Sequence, residues 1–219
     1  MHKRLISFGD SFIFGNELQD YESGSVPYSR LTYPALIAQL YGMEYLCLAK
    51  PAASNQYIAK KILEYPYNGS EFCLVQWTFS SRFGIPLEHE YITQKGAVSD
   101  WFDMRPHQID QTENIPKQLQ TLSKDFYTHT NIDQFSKLQS QMCIDTCHAR
   151  LDSLGIDHVF YCLDDDLLCY SHISTFDDMS FLAYCDQNKL TKTKQGHITA
   201  QGHEFVFSKV KSSIFGQNK

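Results

Sequence analysis

An apolar segment near the N-terminus, Leu5-Ile6-Ser7-Phe8, runs directly into Gly9-Asp10-Ser11. A short apolar run predicts a buried strand, and glycine permits the tight turn by which the chain leaves it. In open α/β sheets, reactive groups lie outside the carboxyl ends of the strands. The segment therefore predicts an α/β fold in which Ser11 is the candidate nucleophile.

A second motif near the C-terminus, Gly196 to His203, precedes an amphipathic segment that predicts a closing helix. A serine hydroxyl is a weak nucleophile at neutral pH and needs a base, most often histidine, to accept its proton. We interpret His197 as that candidate base. Together, the strand that carries Gly-Asp-Ser and the histidine motif before the last helix resemble the SGNH (GDSL-like) hydrolase family. The resemblance extends from residue 5 to the last helix.

The apolar pattern and the resemblance predict one α/β domain over residues 1–219, of the three-layer α/β/α, SGNH/flavodoxin-like class with a mainly parallel sheet. The strands are expected near residues 4–8, 44–48, 72–77 and 158–163. The polar segment 16–31 predicts a loop beside the active site. The least regular segment, at about 84–130, corresponds to a variable insertion that shapes the substrate pocket in the family.

The motifs that hold the oxyanion in the family are altered here. A glycine is usual after the second strand, and this chain has Ala52, which keeps the backbone N–H. A Gly-x-Asn-Asp motif is usual after the third strand, and here Thr78 and Ser80 stand where its glycine and asparagine would be. The resemblance thus implies Ala52, Ser80 and Thr78 as oxyanion donors, aided by Arg82. An equally weighted alternative is a strand end capped by hydroxyls, with Arg82 in a surface ion pair.

Three polar residues beside these motifs are candidate substrate-binding residues: Asp10, Asn55 and Arg82. Asp10 also suits a hydrogen bond within its own turn, and a helix-capping role is favoured for Asn55. Within the insertion, Trp101 and Phe102 either line the pocket or are buried, and burial is favoured.

The acid of a catalytic triad is absent from its usual place. The family has aspartate three residues before the histidine, where this chain has Lys194 before His197. Three alternatives remain open for orienting the imidazole: Asp186, which is the nearest upstream acid, the aspartates at 164–166, or a backbone carbonyl in a Ser-His dyad. Loss of the carboxylate typically costs several powers of ten in rate, so slow turnover or lost activity is a further alternative.

These motifs predict a serine ester hydrolase that forms an acyl-enzyme on Ser11 with His197 as general base. Such chemistry requires no metal and no organic cofactor. The substrate is expected to be a small-molecule or carbohydrate ester, with a small acyl group on a polar molecule mildly favoured. The alternative is a catalytically impaired binding or structural module of the same fold, which the substitutions at Ala52, Ser80 and Lys194 support. An enzyme requires the Ser11 hydroxyl within hydrogen-bond reach of a His197 nitrogen in an open pocket, and a Ser11 buried under packed side chains indicates the non-catalytic module.

Composition excludes several classes of partner. The net charge is −6 and no basic cluster is present, which disfavours nucleic acid and anionic membranes. No apolar run approaches the ~20 residues of a membrane-spanning helix. The seven cysteines are odd in number and lie mostly in apolar runs, so they predict buried thiols of a reducing compartment. The first residues lack the pattern of a signal peptide, and we expect a cytoplasmic protein.

The sequence predicts no metal site. Cys143 and Cys147 are one helical turn apart, without the spacing of a zinc motif. The three consecutive acids at 164–166 cannot all point at one ion. The histidines outside the motif, among them His148 and His158, show no spacing that indicates a common site.

Overall fold

The computed structural model describes residues 2–92, 98–106, 115–130 and 132–215. In this part of the chain, the strands are β1 (Arg4–Phe8), β2 (Glu44–Cys47), β3 (Glu71–Trp77), β4 (Phe83–Ile92), β5 (Val98–Met104) and β6 (Asp157–Cys162). Four of them form a parallel sheet in the order β2-β1-β3-β6, and β4 pairs with β5 in a separate antiparallel sheet. The four predicted strands and the parallel sheet are confirmed.

Helices cover both faces of the parallel sheet. They are α1 (Ser11–Phe14), α2 (Gln19–Glu22), α3 (Tyr33–Leu40), α4 (Asn55–Glu64), α5 (Lys117–His129), α6 (Ile132–Ser153), α7 (Phe181–Gln187) and α8 (Ala200–Phe215). One apolar core joins the sheet to α3, α7 and α8, and a second core on the other face joins it to α4 and α6. The result is the predicted three-layer α/β/α arrangement.

Successive side chains of β1 explain why its sequence is a continuous apolar run. Leu5 packs into the core with α3, whereas Ile6 and Phe8 pack into the core with α4. Neighbouring residues of a strand point to opposite faces, so a strand covered on both sides is mostly apolar. All seven residues of β3 are buried, and five of them are apolar.

The strand register determines where the site lies. Ser7 of β1 is aligned with Cys47 of β2 and with Leu74 of β3. The carboxyl ends of these parallel strands therefore reach the same edge of the sheet. The segments that follow them, which carry Ser11, Ala52 and Thr78, meet at that edge.

The segment predicted to be least regular contains β4, β5 and α5, while residues 93–97 and 107–114 lie outside the described ranges. Trp101 and Phe102 are buried, as favoured from the sequence. At Gly84, a Cβ would lie 2.1 Å from Ser54 Oγ, so only glycine permits this approach of β4 to the start of α4. The role of the segment in shaping a substrate pocket stays a prediction.

All seven cysteines are free thiols, and five are buried. Cys169 is exposed. Among the described helices, none combines the length and apolar character needed to span a membrane.

Candidate active site

Ser11 is held at the start of α1 by a sharp turn after β1. The carboxylate of Asp10 caps the helix by accepting the Phe12 N–H at 3.0 Å. Gly9 is required in the turn, since a Cβ there would lie 2.6 Å from Ile13 Cγ1. These features place Ser11 at the N-terminal end of a short helix, where backbone N–H groups lack partners within the helix.

The side chains of Ser11 and His197 are in hydrogen-bond contact, with 2.8 Å between Ser11 Oγ and His197 Nε2. His197 lies in the segment before α8, and its ring packs edge-on against Phe12 with the ring centroids 4.8 Å apart. Ser11 retains 8% of its surface exposed, and the side chain of His197 retains 12%. The two predicted residues therefore meet at a nearly closed site.

Glu17 supplies the carboxylate beside His197. Its Oε2 lies 2.7 Å from His197 Nδ1 and accepts the Thr193 hydroxyl at 2.5 Å, and its Oε1 accepts the Gln195 N–H at 3.2 Å. Burial alone would raise the pKa of Glu17, but the hydrogen bonds from His197, Thr193 and Gln195 outweigh it and lower that pKa below its ordinary value. An ionised Glu17 accepts a hydrogen bond from His197 Nδ1–H, which leaves Nε2 to accept the hydrogen bond from the Ser11 hydroxyl.

The expectation that Asp186 orients the imidazole is corrected. Asp186 is largely exposed and forms an ion pair with Lys192. Among the aspartates at 164–166, Asp166 accepts the hydroxyl of Ser80. The carboxylate in contact with His197 is Glu17, so neither of these groups nor a backbone carbonyl takes that place.

Sequence reasoning missed Glu17 because it looked for the acid upstream of His197, the place given by the family pattern. Glu17 instead lies six residues after Ser11, in the polar segment predicted as a loop beside the active site. The sequence offered one signal for Glu17. The loop predicted beside the active site begins at residue 16, and Glu17 is its first acidic residue.

Ala52 occupies a turn in which glycine is usual. Its φ is +66°, in the left-handed region, and the Ala53 N–H donates to the carbonyl of Lys50 at 3.1 Å. With Pro51 at the second position and a positive φ at the third, the turn has the pattern of type II. Ala52 thus takes up the backbone conformation expected of the glycine it replaces.

Asp103 of β5 anchors this turn. Its Oδ1 accepts the backbone N–H of Ser54 at 2.9 Å, the Ser54 hydroxyl at 2.6 Å and Trp101 Nε1 at 3.1 Å. Its Oδ2 accepts Lys50 Nζ at 2.6 Å. The β4–β5 sheet is therefore tied by a buried carboxylate to both ends of the turn that carries Ala52.

The side chains after β3 form a separate polar network. Thr78 Oγ1 donates to Asp10 Oδ2 at 2.9 Å, and Arg82 Nη1 donates to the same carboxylate oxygen at 2.7 Å. Ser80 donates its hydroxyl to Asp166 at 2.9 Å. These contacts fit the alternative in which hydroxyls cap the strand end, although the Arg82 ion pair is buried and not at the surface. The oxyanion role of Thr78 and Ser80 stays a prediction.

Asn55 joins α4 to the end of β3. Its amide donates to the Thr78 carbonyl at 3.2 Å and to Ser140 Oγ at 2.9 Å, and accepts the Thr78 N–H at 2.8 Å. The predicted capping role is wrong, because the cap of α4 is Ser54, whose hydroxyl accepts the Tyr57 N–H. The substrate-binding roles of Asp10, Asn55 and Arg82 stay predictions, and in this structure their polar groups contact other parts of the protein.

Solved structures share this architecture. The lipase Lip_vut3 from a goat rumen metagenome matches with a TM-score of 0.55 at 10% identity, over 99% of each chain. The acetyl xylan esterase Est2A from Butyrivibrio proteoclasticus gives 0.47 at 10% identity, over 99% of this chain and 64% of that one. A member of the lipolytic G-D-S-L family from Veillonella parvula gives 0.40 at 13%, over 98% of each.

The fold is SGNH-like. No protein-family model and no curated protein matches the chain. The resemblance expected from the Gly-Asp-Ser strand and the histidine motif is thus supported by the three-dimensional structure and not by sequence similarity. Within this fold, the side chain of Ser11 contacts His197, His197 contacts Glu17, and the residues after β3 form a polar network of their own.

Proposed function

We propose that the protein is a serine ester hydrolase, with Ser11 as nucleophile, His197 as general base and Glu17 as the acid of the triad. The observation that carries the proposal is the continuous pair of hydrogen bonds from Ser11 Oγ to His197 Nε2 and from His197 Nδ1 to Glu17 Oε2, at 2.8 and 2.7 Å. A nucleophile in contact with a base that is itself oriented by a third group is the signature of this chemistry.

In the first half of the reaction, Ser11 Oγ attacks the acyl carbon of the ester and its proton passes to His197 Nε2. The ionised Glu17 stabilises the imidazolium that forms. The carbonyl oxygen becomes an oxyanion, which accepts hydrogen bonds from the backbone N–H groups of Ser11 and Ala52. The start of α1 adds the favourable end of its helix dipole at the same place.

The oxyanion then collapses and the bond to the alcohol oxygen breaks, with His197 Nε2–H protonating the leaving alcohol. A water molecule gives a proton to Nε2 as it attacks the acyl-enzyme. The second tetrahedral intermediate then collapses, which releases the carboxylic acid and returns the proton from His197 to Ser11 Oγ. The cycle balances without a metal or an organic cofactor.

The closed geometry of the site favours a small acyl group on a polar molecule as the substrate. Only 8% of the surface of Ser11 is exposed, which restricts the groups that reach its hydroxyl. The rival proposal of a non-catalytic module predicts that Ser11 and His197 point apart, or that Ser11 is buried under packed side chains. The contact at 2.8 Å between the two side chains favours the hydrolase, whereas the burial of Ser11, which is 8% exposed, fits the rival.

The test is hydrolysis of p-nitrophenyl acetate and butyrate by the wild type, Ser11→Ala, His197→Ala and the matched control Ser208→Ala, which alters an exposed serine of α8. We expect kcat to fall by about 10³-fold or more in the first two variants and to stay unchanged in the control, with the same circular dichroism. Acetate should be the better substrate.

A fluorophosphonate probe tests the nucleophile independently of the ester chosen. We expect it to label the wild type and Ser208→Ala, and not Ser11→Ala. A folded wild type that is neither labelled nor active, or a Ser11→Ala variant as active as the wild type, would reject the hydrolase in favour of the non-catalytic module.

A further inference from the structure

A compact group of two histidines and one aspartate lies where α6 ends and β6 begins. His148 Nδ1 is 2.9 Å from His158 Nε2, and His148 Nε2 is 3.3 Å from Asp152 Oδ2. One ligand atom from each residue lies within 4.8 Å of the others. His158 is the second residue of β6, so the group lies at the amino-terminal edge of the sheet, opposite to Ser11.

The local fold explains how three residues without a recognisable spacing come together. His148 and Asp152 are separated by four positions and share one face of α6. Gly155, with φ of +65°, reverses the chain immediately after the helix, and this brings His158 back beside that face. The sequence did not predict this site because its spacing crosses the boundary between a helix and a strand.

The hydrogen bonds determine which nitrogen of His158 is available. His158 Nδ1 lies 2.9 Å from the carbonyl oxygen of Ile156, which is an acceptor only, so Nδ1 carries the hydrogen. The lone pair of the neutral ring is then on Nε2, which faces His148. A histidine whose other nitrogen donates to a backbone carbonyl is the usual arrangement of a metal ligand.

The two nitrogens of His148 face different partners: Nδ1 faces His158 Nε2 at 2.9 Å, and Nε2 faces Asp152 Oδ2 at 3.3 Å. One imidazole offers one lone pair to a cation, so each residue of the group supplies a single ligand atom. Since these three atoms lie within 4.8 Å of one another, one cation is within reach of all three residues.

We propose that His148, Asp152 and His158 bind a divalent transition-metal cation of the Zn²⁺ class, with water completing its coordination. Two imidazoles and one carboxylate suit Zn²⁺ or Co²⁺, whereas Mg²⁺ and Ca²⁺ prefer oxygen ligands alone. Bonds of about 2.0 Å from each nitrogen require the two rings to separate by a few tenths of an ångström. His148, whose side chain is 29% exposed, is the ring with more room for this adjustment, since that of His158 is 10% exposed.

His172 lies outside the proposed coordination sphere. Its ring stacks on that of His148, with the centroids 3.7 Å apart and the planes 26° from parallel. A metal binds in the plane of an imidazole, so a ring stacked on the face of His148 covers it and limits its rotation. Asp152, whose side chain is 61% exposed, leaves a route for the ion from solvent.

The bound ion would link the end of α6 to the start of β6 and act on stability, not on ester hydrolysis. The proposal is therefore independent of the proposed function. Binding to the folded state alone raises the free energy of unfolding by mass action, so Zn²⁺ should raise Tm by several degrees once it exceeds Kd by about a hundredfold.

The experiment is isothermal titration of the tag-free, metal-stripped and reduced protein with ZnCl₂, in a Cys169→Ser background that removes the exposed thiol. We expect one ion per chain with a Kd in the micromolar range or tighter. His158→Ala and Asp152→Asn should each weaken binding at least about tenfold and remove the rise in Tm. His197→Ala, which alters another histidine in contact with a carboxylate, and His129→Ala should bind Zn²⁺ as the background protein does.

Co²⁺ gives a second readout that does not depend on unfolding. Its visible absorption bands report coordination by nitrogen and oxygen, and we expect them in the background protein and in His197→Ala but not in His158→Ala. Asp152→Asn keeps the size of an exposed side chain, so its loss of binding is not a folding defect. A Kd weaker than about 100 µM in the background protein, or equal affinity in His158→Ala and Asp152→Asn, would overturn the proposal.

Discussion

Two polar clusters lie at the carboxyl-terminal edge of the sheet, and they differ in the group at which their hydrogen bonds terminate. The first runs from Glu17 through His197 to the hydroxyl of Ser11, a residue that is 8% exposed. The second ends on the Asp10 carboxylate, which is 1% exposed and accepts hydrogen bonds from the Thr78 hydroxyl and from Arg82 Nη1. The first cluster is arranged for proton transfer, whereas the second is arranged to hold chain segments together.

The second cluster nevertheless acts on the first through Asp10. One oxygen of this carboxylate caps α1 through the Phe12 N–H, and the other accepts Arg82 and Thr78. The position of Ser11 at the start of α1 thus depends on the end of β3. Thr78, one of the two positions that differ from the family motif, contributes to this support through its hydrogen bond to Asp10.

The largest effect is expected where the first cluster is broken at Glu17. Replacement Glu17→Gln removes the charge that stabilises the imidazolium and offers Nδ1 a group that also donates, which favours the wrong tautomer. We expect kcat to fall by about 10³- to 10⁴-fold with p-nitrophenyl acetate, with little change in Tm.

The matched control for Glu17→Gln is Asp186→Asn, which makes the same acid-to-amide change in the ion pair with Lys192. This variant should keep the wild-type kcat. Full activity in Glu17→Gln together with loss of activity in Asp186→Asn would transfer the role of the acid to Asp186. Since hydrogen bonds from His197 and Thr193 hold the pKa of Glu17 below its ordinary value, the carboxylate is ionised at neutral pH, and this comparison can be made there.

Breaking the second cluster should affect stability first. Arg82→Met keeps much of the side-chain volume but leaves the Asp10 carboxylate, which is 1% exposed, without its cation. Removal of one partner of a buried pair typically costs about 3–5 kcal/mol of the free energy of unfolding, measured here by urea denaturation. Lys192→Met, in an exposed pair, should cost no more than about 1 kcal/mol. Equal losses in the two variants would remove the distinction between the buried and the exposed pair.

A buried histidine, His203, makes the stability of the fold depend on pH. His203 is fully buried with its Nδ1 accepting the Tyr33 N–H, and burial, followed by the effect of His197, lowers its pKa to about 3. The unfolded chain takes up a proton near pH 6.5 and the folded chain does not, so His203 costs no stability above pH 6.5. Stability is lost as the pH falls from 6.5 towards 3, by about 1.4 kcal/mol per pH unit.

The test is His203→Asn, which keeps an acceptor for the Tyr33 N–H without titrating. We expect this variant to be less stable at pH 7, because it leaves a cavity, and to lose less stability than the wild type between pH 6.5 and 4. Urea denaturation at four pH values in this range measures the two slopes. Parallel curves would show that His203 does not set the acid sensitivity.

The fold was predictable because buried strands are recognisable in the sequence as apolar runs. β1 and β3 are covered on both faces, so they appear as continuous apolar runs, and parallel strands bring their carboxyl ends to one edge. The pairing of Ser11 with His197 followed from residue type and from the order of the motifs along the chain. Such features need no knowledge of individual side-chain contacts.

The identity of the acid was not predictable in the same way. Glu17 reaches His197 across 180 positions of sequence, after the chain turns at Gly15 and Glu17 itself adopts a φ of +67°. Local propensity does not predict this conformation of Glu17, since glutamate rarely adopts the left-handed region. The predicted capping residue of α4 was wrong for a related reason. Ser54 and Asn55 are both good capping residues, and only the hydrogen bonds of Asn55 to the end of β3 distinguish them.

The smallest effect is expected at Ala52, where the backbone and not the side chain carries the proposed role. Ala52→Gly relieves the cost of a positive φ but adds freedom to the unfolded chain, and the two terms nearly cancel, to within about 1 kcal/mol of the free energy of unfolding. The N–H stays in place, so kcat for p-nitrophenyl acetate should stay within about threefold of the wild type. A loss of more than tenfold in kcat, with Tm unchanged, would mean that the methyl group of Ala52 shapes the site, and that the turn belongs with the rigid second cluster and not with the first.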